Sequence, residues 1–331
     1  MKGQRVVWPS RATVEIEEFE FPSLGDNEIL VATECSLISP GTERAFLLGL
    51  PNAQGRYPSY PGYSNIGVVI DSGKDVDGFK IGDRVVSSKG HTSHFVATPD
   101  SLLKVTEPML SSEEGVFFNL CTIAMQGVRK AKIELGEPVL VLGGGLIGLF
   151  AMQLAKLTGG LPAITADLSD YRLQLAKQVG ADYTVNPEAK DLIDQLDKVT
   201  SGRGLAVVIE ATGHPPVVNT AFQLADWHGR VVLLASTRGE TERVNFYRDI
   251  HGKGLTVVGA HNSVRPRHES SPNFWTLRDD WELSLQLIAH RRVVVAPLIT
   301  HRLAGTQAAE AYQLLMEWDQ NLLGVVLNWE D

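Results

Sequence analysis

Three glycines and one aspartate carry the clearest chemical signal in this chain. Gly143, Gly145 and Gly148 fit the spacing G-x-G-x-x-G, and Asp167 closes the short apolar run that follows. Glycine at the first position allows a tight turn out of a strand. At the second it lets the backbone approach a pyrophosphate, and at the third it lets a helix pack closely on a sheet. Leu146 and Ile147 would open that helix, whose free N–H groups and partial positive end suit phosphates. A carboxylate at Asp167 can accept hydrogen bonds from adenosine ribose hydroxyls. The chemistry this spacing supports is the binding of a dinucleotide.

Asp167 also selects between dinucleotides. Two like charges ~5 Å apart at an effective dielectric of ~20 repel by about 3 kcal/mol, so a ribose 2′-phosphate is disfavoured there. Leu168 and Ser169, not an arginine, come next, and Arg172 is the nearest basic side chain. NAD is therefore expected over NADP.

The elements that position these residues follow from hydrophobic periodicity. Val139 to Leu142 reads as a buried parallel strand, Leu149 to Leu157 as a helix and Ala163 to Ala166 as a second strand. The alternation continues. Helices are expected over Ser169 to Val179, Lys190 to Thr200 and Pro215 to Ala225. Strands are expected over Asp182 to Val185, Ala206 to Glu210, Arg230 to Ala235 and Leu255 to Gly259. That pattern predicts an α/β chain with a doubly wound parallel sheet.

Upstream, short runs at Gln4 to Trp8, Ala12 to Ile16, Glu28 to Thr33, Gly67 to Asp71, Arg84 to Ser87 and His94 to Ala97 are separated by turn signals, Ser39-Pro40-Gly41 among them. A small barrel-like β domain is expected. Ser111 to Lys132 reads as one helix capped by Ser111 or Ser112. Downstream, His261 to Asp280 is irregular, Trp281 to His290 and Gly305 to Trp318 read as helices, and Gly324 to Leu327 as a strand.

Bulk properties narrow the function. A chain of 331 residues is suited to two domains, and 44% hydrophobic with 21% charged residues marks a globular protein. The net charge is −9 and the basic residues form no long run, so no nucleic-acid partner is expected. No stretch approaches the ~20 apolar residues of a membrane span, and the first residues lack the apolar core of a signal peptide. Cys35 and Cys121 are the two cysteines. They exclude a disulfide framework and a multi-cysteine zinc lobe. A soluble, cytoplasmic protein is the expectation.

The order of β domain, Rossmann domain and short return segment resembles the medium-chain dehydrogenase/reductase superfamily, which includes the zinc-type alcohol dehydrogenases. The carriers are Pro61-Gly62-Tyr63-Ser64-Asn65-Ile66-Gly67-Val68-Val69, Ile81-Gly82-Asp83-Arg84-Val85, the glycine motif, Val207 to Gly213, and Gly229 to Leu233. The resemblance implies a GroES-like catalytic domain over residues 1–120 and 260–331 around a Rossmann domain at 121–259, with the active site in the cleft between them. It also implies that Ala211, Thr212, Ala235, Ser236, His261 and Asn262 line the cofactor. The basic residue that relatives place near the last strand is matched by Gly324.

The departures bear on function. The three zinc-ligand positions of relatives match Ser39, Tyr63 and Asn119, a very poor donor set for zinc. The resemblance therefore points to a zinc-free branch similar to bacteriochlorophyllide-type and sugar-pathway dehydrogenases, and no metal is expected. Without a metal, another group must stabilise or deprotonate the alkoxide. Tyr63 is placed by the resemblance near the substrate oxygen, and His91 can relay a proton near neutral pH. Thr42 matches a hydroxyl relay position and Glu43 its adjacent acid. Ser39 and Asn119 would hydrogen-bond the substrate, with Asn119 alternatively capping its own helix.

An NAD-dependent dehydrogenase of a secondary alcohol or ketone, a sugar or polyol, is the expectation. A zinc-free quinone or enoyl reductase and a non-catalytic nucleotide-binding protein remain as alternatives. The resemblance implies a homodimer, and the apolar edge strand Leu255 to Gly259 would invite pairing with its twin.

Overall fold

The structure is a computed structural model that describes residues 2–21, 23–266 and 275–329. In chain order the strands are β1 (Lys2–Val7), β2 (Glu15–Glu20), β3 (Ile29–Ile38), β4 (Asn65–Ser72), β5 (Arg84–Ser87), β6 (His94–Ala97), β7 (Leu103–Lys104), β8 (Val139–Leu142), β9 (Ala163–Ala166), β10 (Tyr183–Val185), β11 (Leu205–Glu210), β12 (Ala225–Leu233), β13 (Thr256–Gly259), β14 (Ile299–Ala304) and β15 (Gly324–Asn328). The α-helices are α1 (Pro40–Leu47), α2 (Ser112–Gly115), α3 (Phe118–Ala131), α4 (Leu146–Thr158), α5 (Asp170–Gln178), α6 (Leu192–Thr200), α7 (Pro215–Leu224), α8 (Leu277–Ala289) and α9 (Ala308–Met316).

The chain divides into two compact units. The first comprises Met1–Asn119, Trp281–Arg291 and Leu298–Asp331, and the second Leu120–Asp280 and Arg292–Pro297. Residues 260–280, expected with the catalytic domain, thus group with the second unit. Buried charge explains this. Asp280 is fully buried and takes the Arg129 guanidinium of α3 at 2.8 Å and that of Arg265 at 3.2 Å. Arg265 also donates to the Thr122 carbonyl at 2.8 Å. Detaching one partner would strand a buried charge, which typically costs ~3–5 kcal/mol. Arg267 and Phe274 of this segment lie outside the described residues.

In the first unit a seven-stranded sheet runs β14-β15-β3-β4-β5-β7, with β6 also on β3. β3 organises it, pairing antiparallel with β15, β4 and β6. One core lies around Ile29, Val31, Val69, Val85 and Phe95. Another joins Val6, Trp8, Ile38, Leu47, Tyr312 and Val325. The C-terminal end of β3 delivers Ser36 and then Ser39, the N-cap of α1.

α1 replaces the turn expected at Ser39-Pro40-Gly41. Pro40 occupies the first helical position, where its fixed φ is already helical and its missing N–H costs nothing. β2 falls later than the expected Ala12 to Ile16, because Ala12 turns through a φ of 58°. The helix expected over Ser111 to Lys132 is two. Ser111 Oγ accepts the Glu114 N–H at 3.3 Å to cap α2, and α3 starts anew at Phe118.

In the second unit six parallel strands run β10-β9-β8-β11-β12-β13. Counted from β8, this is the order 3-2-1-4-5-6 of dinucleotide-binding folds, which switches direction between β8 and β11. β8 is buried throughout, as a central parallel strand covered on both faces must be. Among the described residues no helix is long and apolar enough to cross a membrane.

Candidate active site

The glycine turn occupies the switch point, between β8 and α4. Gly143 has a φ of 107°, and a side-chain carbon at Gly148 would lie 1.8 Å from the Gly143 carbonyl oxygen, so the turn closes only on glycine. At Gly145, the N-cap of α4, a side-chain carbon would meet nothing within 4 Å. The open space lies at a helix N-terminus whose first N–H groups, those of Leu146 and Ile147 among them, have no partner within the helix. Such a cradle fits a pyrophosphate.

Asp167 follows β9 and is half-buried. One carboxylate oxygen accepts the Gly144 N–H at 2.6 Å, and the other accepts the Ser169 N–H at 2.8 Å. The acid is thereby tied to the glycine turn. Arg172 lies in the first turn of α5, with its Cβ 3.1 Å from where a side-chain carbon on Gly144 would be.

The turn after β11 borders the same glycines. Atoms of Ala211 and Thr212 would lie 3.0–3.1 Å from a side-chain carbon on Gly143. Glu210 shapes this turn. One oxygen of its fully buried carboxylate accepts the N–H groups of Thr212 at 2.7 Å and Gly213 at 3.0 Å, and the Thr212 hydroxyl. Burial pushes Glu210 above the usual carboxylate range, against those hydrogen bonds. The Ala235 N–H donates to the Glu210 carbonyl at 3.0 Å, and the Ser236 carbonyl sits 2.8 Å from a side-chain carbon built on Gly213. After β13, exposed His261 caps a short 3₁₀ turn by accepting the Ser263 N–H at 3.2 Å, and Asn262 beside it is half-buried.

A second cluster lies within the first unit. The Tyr63 hydroxyl donates to Ser39 Oγ at 2.5 Å. The Asn119 amide donates to the Tyr63 carbonyl at 2.5 Å, so Asn119 fixes the tyrosine backbone rather than capping α3. Tyr63 is half-buried, whereas Ser39 and Asn119 are buried. Thr42 is half-buried on α1.

Glu43 and His91 lie one layer deeper. Glu43 Oε1 accepts the Ser39 N–H at 2.7 Å, and Glu43 Oε2 bonds His91 Nε2 at 3.0 Å. His91 Nδ1 meets Ser36 Oγ at 2.8 Å, and Ser36 Oγ accepts the Trp329 indole N–H at 2.9 Å. The Tyr312 hydroxyl donates to Glu43 Oε2. The His91 side chain is wholly buried with both nitrogens engaged. Its ring bonds Ser36 and Glu43, and Glu43 in turn holds the N–H of Ser39, the partner of Tyr63. Gly62 lies flat against the His91 ring, where a side-chain carbon would come within 2.8 Å of Cδ2.

Ser39, Tyr63 and Asn119 thus spend their polar atoms on one another and on backbone. Neither a hydroxyl pair nor an amide is a donor set that zinc favours. Among the described residues no group of three or more His, Cys, Asp or Glu side chains could hold a metal. Gly324 leaves no room for a basic side chain, since a side-chain carbon there would stand 2.4 Å from the Leu298 carbonyl oxygen. Ser36, Tyr312 and Trp329 carried no sequence signal, because each meets the cluster through tertiary contacts alone.

Comparison with known proteins agrees with this architecture. Residues 25–132 match the alcohol dehydrogenase GroES-like domain, and residues 147–277 match the zinc-binding dehydrogenase family. L-threonine 3-dehydrogenase of Pyrococcus abyssi is 27% identical over 333 residues, covering 91% of each chain. D-guloside 3-dehydrogenase of Escherichia coli is 27% identical over 240 residues, covering 71% of this chain and 68% of the relative. The structure of galactitol-1-phosphate dehydrogenase from Escherichia coli superposes with a TM-score of 0.84 at 22% identity, over 98% of this chain and 99% of that one. The chain belongs to the zinc-type alcohol dehydrogenase-like branch of the medium-chain dehydrogenase/reductase superfamily.

Proposed function

We propose that this protein is an NAD-dependent, zinc-independent oxidoreductase that transfers a hydride between NAD(H) and a secondary alcohol or ketone, a sugar or polyol, and that it works as a homodimer. The observation that carries the reading is the Tyr63–Ser39 hydroxyl pair at 2.5 Å, at two positions that the family resemblance matches to zinc ligands. A hydroxyl pair can do by hydrogen bonding what a metal does by charge, namely stabilise oxygen as it gains alkoxide character.

Bound NAD would supply the hydride acceptor at carbon. This chain's residues supply the rest. Gly143, Gly145 and Gly148 with the first turn of α4 would hold the pyrophosphate, and Asp167 the adenosine ribose. Ala211, Thr212, Ala235, Ser236, His261 and Asn262 would flank the cofactor. With substrate bound, the Tyr63 hydroxyl would turn its proton from Ser39 Oγ to the substrate oxygen and accept from the Ser39 hydroxyl in exchange, while the proton that the alcohol gives up would pass to water. The substrate class is supported by relatives named for threonine and guloside, both oxidised at a secondary hydroxyl.

Initial rates with NAD and NADP over a panel of polyols, sugar derivatives and secondary amino alcohols test this reading, with quinones and activated alkenes alongside. NAD reduction on at least one alcohol, at a higher kcat/KM than with NADP, is expected. Preferential reduction of quinones or alkenes by NADPH, or cofactor binding without any turnover, would overturn it.

A further inference from the structure

The residues behind Tyr63 form a chain in which every donor has an acceptor. Trp329 Nε1 can only donate, and it donates to Ser36 Oγ. His91 Nε2 lies 3.0 Å from Glu43 Oε2. On the other side of the ring, His91 Nδ1 meets the Ser36 hydroxyl at 2.8 Å. The far end is Tyr312 on α9, whose hydroxyl donates to Glu43 Oε2. Its ring is fully buried against Trp8, edge to face at 5.5 Å between centroids. Burial first, and then the neighbouring Glu43 carboxylate, push the Tyr312 hydroxyl well above the usual tyrosine range. It therefore stays a donor at any working pH.

Ser36, His91 and Glu43 superficially have the composition of a nucleophilic triad. All three are buried, at 0%, 1% and 3% exposure, so no substrate reaches Ser36. What the chain does touch is the backbone on both sides of the Tyr63–Ser39 pair. Glu43 Oε1 holds the Ser39 N–H at 2.7 Å. Glu43 Oε2 holds the His91 ring, on which Gly62 rests immediately before Tyr63. The His91 N–H also donates to the Pro61 carbonyl at 2.8 Å. One carboxylate thus touches both members of the pair, and among the described residues Tyr312 is its side-chain donor from the C-terminal return of the chain.

We propose that Tyr312 is a positioning residue for the Tyr63–Ser39 pair, acting through the orientation of Glu43. The proposal rests on the reading of that pair as the group facing the substrate oxygen. Without the Tyr312 hydroxyl, Glu43 keeps one donor on each oxygen, the Ser39 N–H on Oε1 and His91 on Oε2, and loses the third anchor that fixes the plane of the carboxylate. Ser39 and the His91 ring then loosen together, and the hydroxyl pair loses its alignment. Misplacement of a reacting group by ~1 Å can cost ~10²-fold in rate.

Tyr312→Phe tests this, because it keeps the ring and its packing on Trp8 and removes one hydroxyl. Steady-state kinetics of this variant, of Glu43→Gln and of the double variant are read beside nitrogen NMR of the histidine rings. We expect kcat to fall at least ~10-fold in Tyr312→Phe with KM for NAD unchanged. The double variant should lose no more than about twofold beyond Glu43→Gln, because both act through one carboxylate. The His91 ring resonances should move in Tyr312→Phe. Unchanged kcat in Tyr312→Phe, a rise in KM for NAD that matches any loss, or losses that multiply in the double variant would overturn the proposal. If the wild type turns over no alcohol, the functional reading fails, and the NMR arm still decides the positioning. His91 resonances that do not move in Tyr312→Phe contradict it.

Discussion

Asp167 and Gly144 are joined by a 2.6 Å hydrogen bond from the glycine N–H to the aspartate carboxylate. The acid expected to select the cofactor is thus fastened to the turn expected to bind it, and its charge cannot swing away from a ribose 2′-substituent. Replacing Asp167→Ser together with Leu168→Arg should move the ratio of kcat/KM for NAD over NADP by ~10²-fold toward NADP. That is the size expected from removing a repulsion of about 3 kcal/mol. A wild type that already binds NADPH more tightly than NADH would refute the assignment.

Tyr63→Phe removes the hydroxyl that meets Ser39 Oγ and leaves the ring. On the true substrate kcat should fall by ~10²–10⁴-fold with NAD affinity unchanged. Ser39→Ala should cost less, and the double variant should resemble Tyr63→Phe alone, since the serine acts through the tyrosine. Wild-type kcat in Tyr63→Phe would shift the chemistry toward Thr42.

Glu210 gives a stability prediction with a defined sign. Burial raises its folded-state value above the usual 4.5 of glutamate. The folded chain then binds more protons than the unfolded chain in that window. Stability is retained below about 4.5 and declines as pH rises through the folded value. Glu210→Gln keeps an oxygen for the Thr212 and Gly213 N–H groups and removes the titration. The Tm of this variant relative to wild type should therefore be higher at about pH 7 than at about pH 4. A Tm difference independent of pH would contradict the argument.

β13 ends the six-stranded sheet, and Val257 on it is 40% exposed. An unpaired edge of this kind is where a second copy would add its own strand. Light scattering at micromolar concentration should find a dimer, and Val257→Lys should shift it toward monomer. A monomeric wild type would exclude this interface.

Much of the fold was legible because its signals are local. β8, β9 and β11 are apolar runs each followed by a helix-forming stretch, and the glycine motif sits on the first of them. The departures have physical causes. Pro40 reads as a turn residue but also starts helices, so α1 was missed. β12 begins at Ala225, which already pairs with Leu205, before the polar stretch Asp226 to Arg230 that reads as a loop. Asp280 and Arg265 are tied to the second unit by the Asp280–Arg129 ion pair and by the Arg265 bond to the Thr122 carbonyl, partners far away in sequence. The places of Ser39, Tyr63 and Asn119 in a known pattern singled them out, and the structure brings these three together. Tyr312 meets Glu43 across 269 residues, and no periodicity encodes such a contact.

The account turns on hydride transfer to NAD without a metal. Its most direct test is the rate of NAD reduction on an active alcohol, measured on protein whose bound metal has been quantified before and after chelation. The predicted result is no stoichiometric zinc and an unchanged rate after chelation. One tightly bound zinc per chain, with activity lost on its removal and restored on its return, would contradict the account.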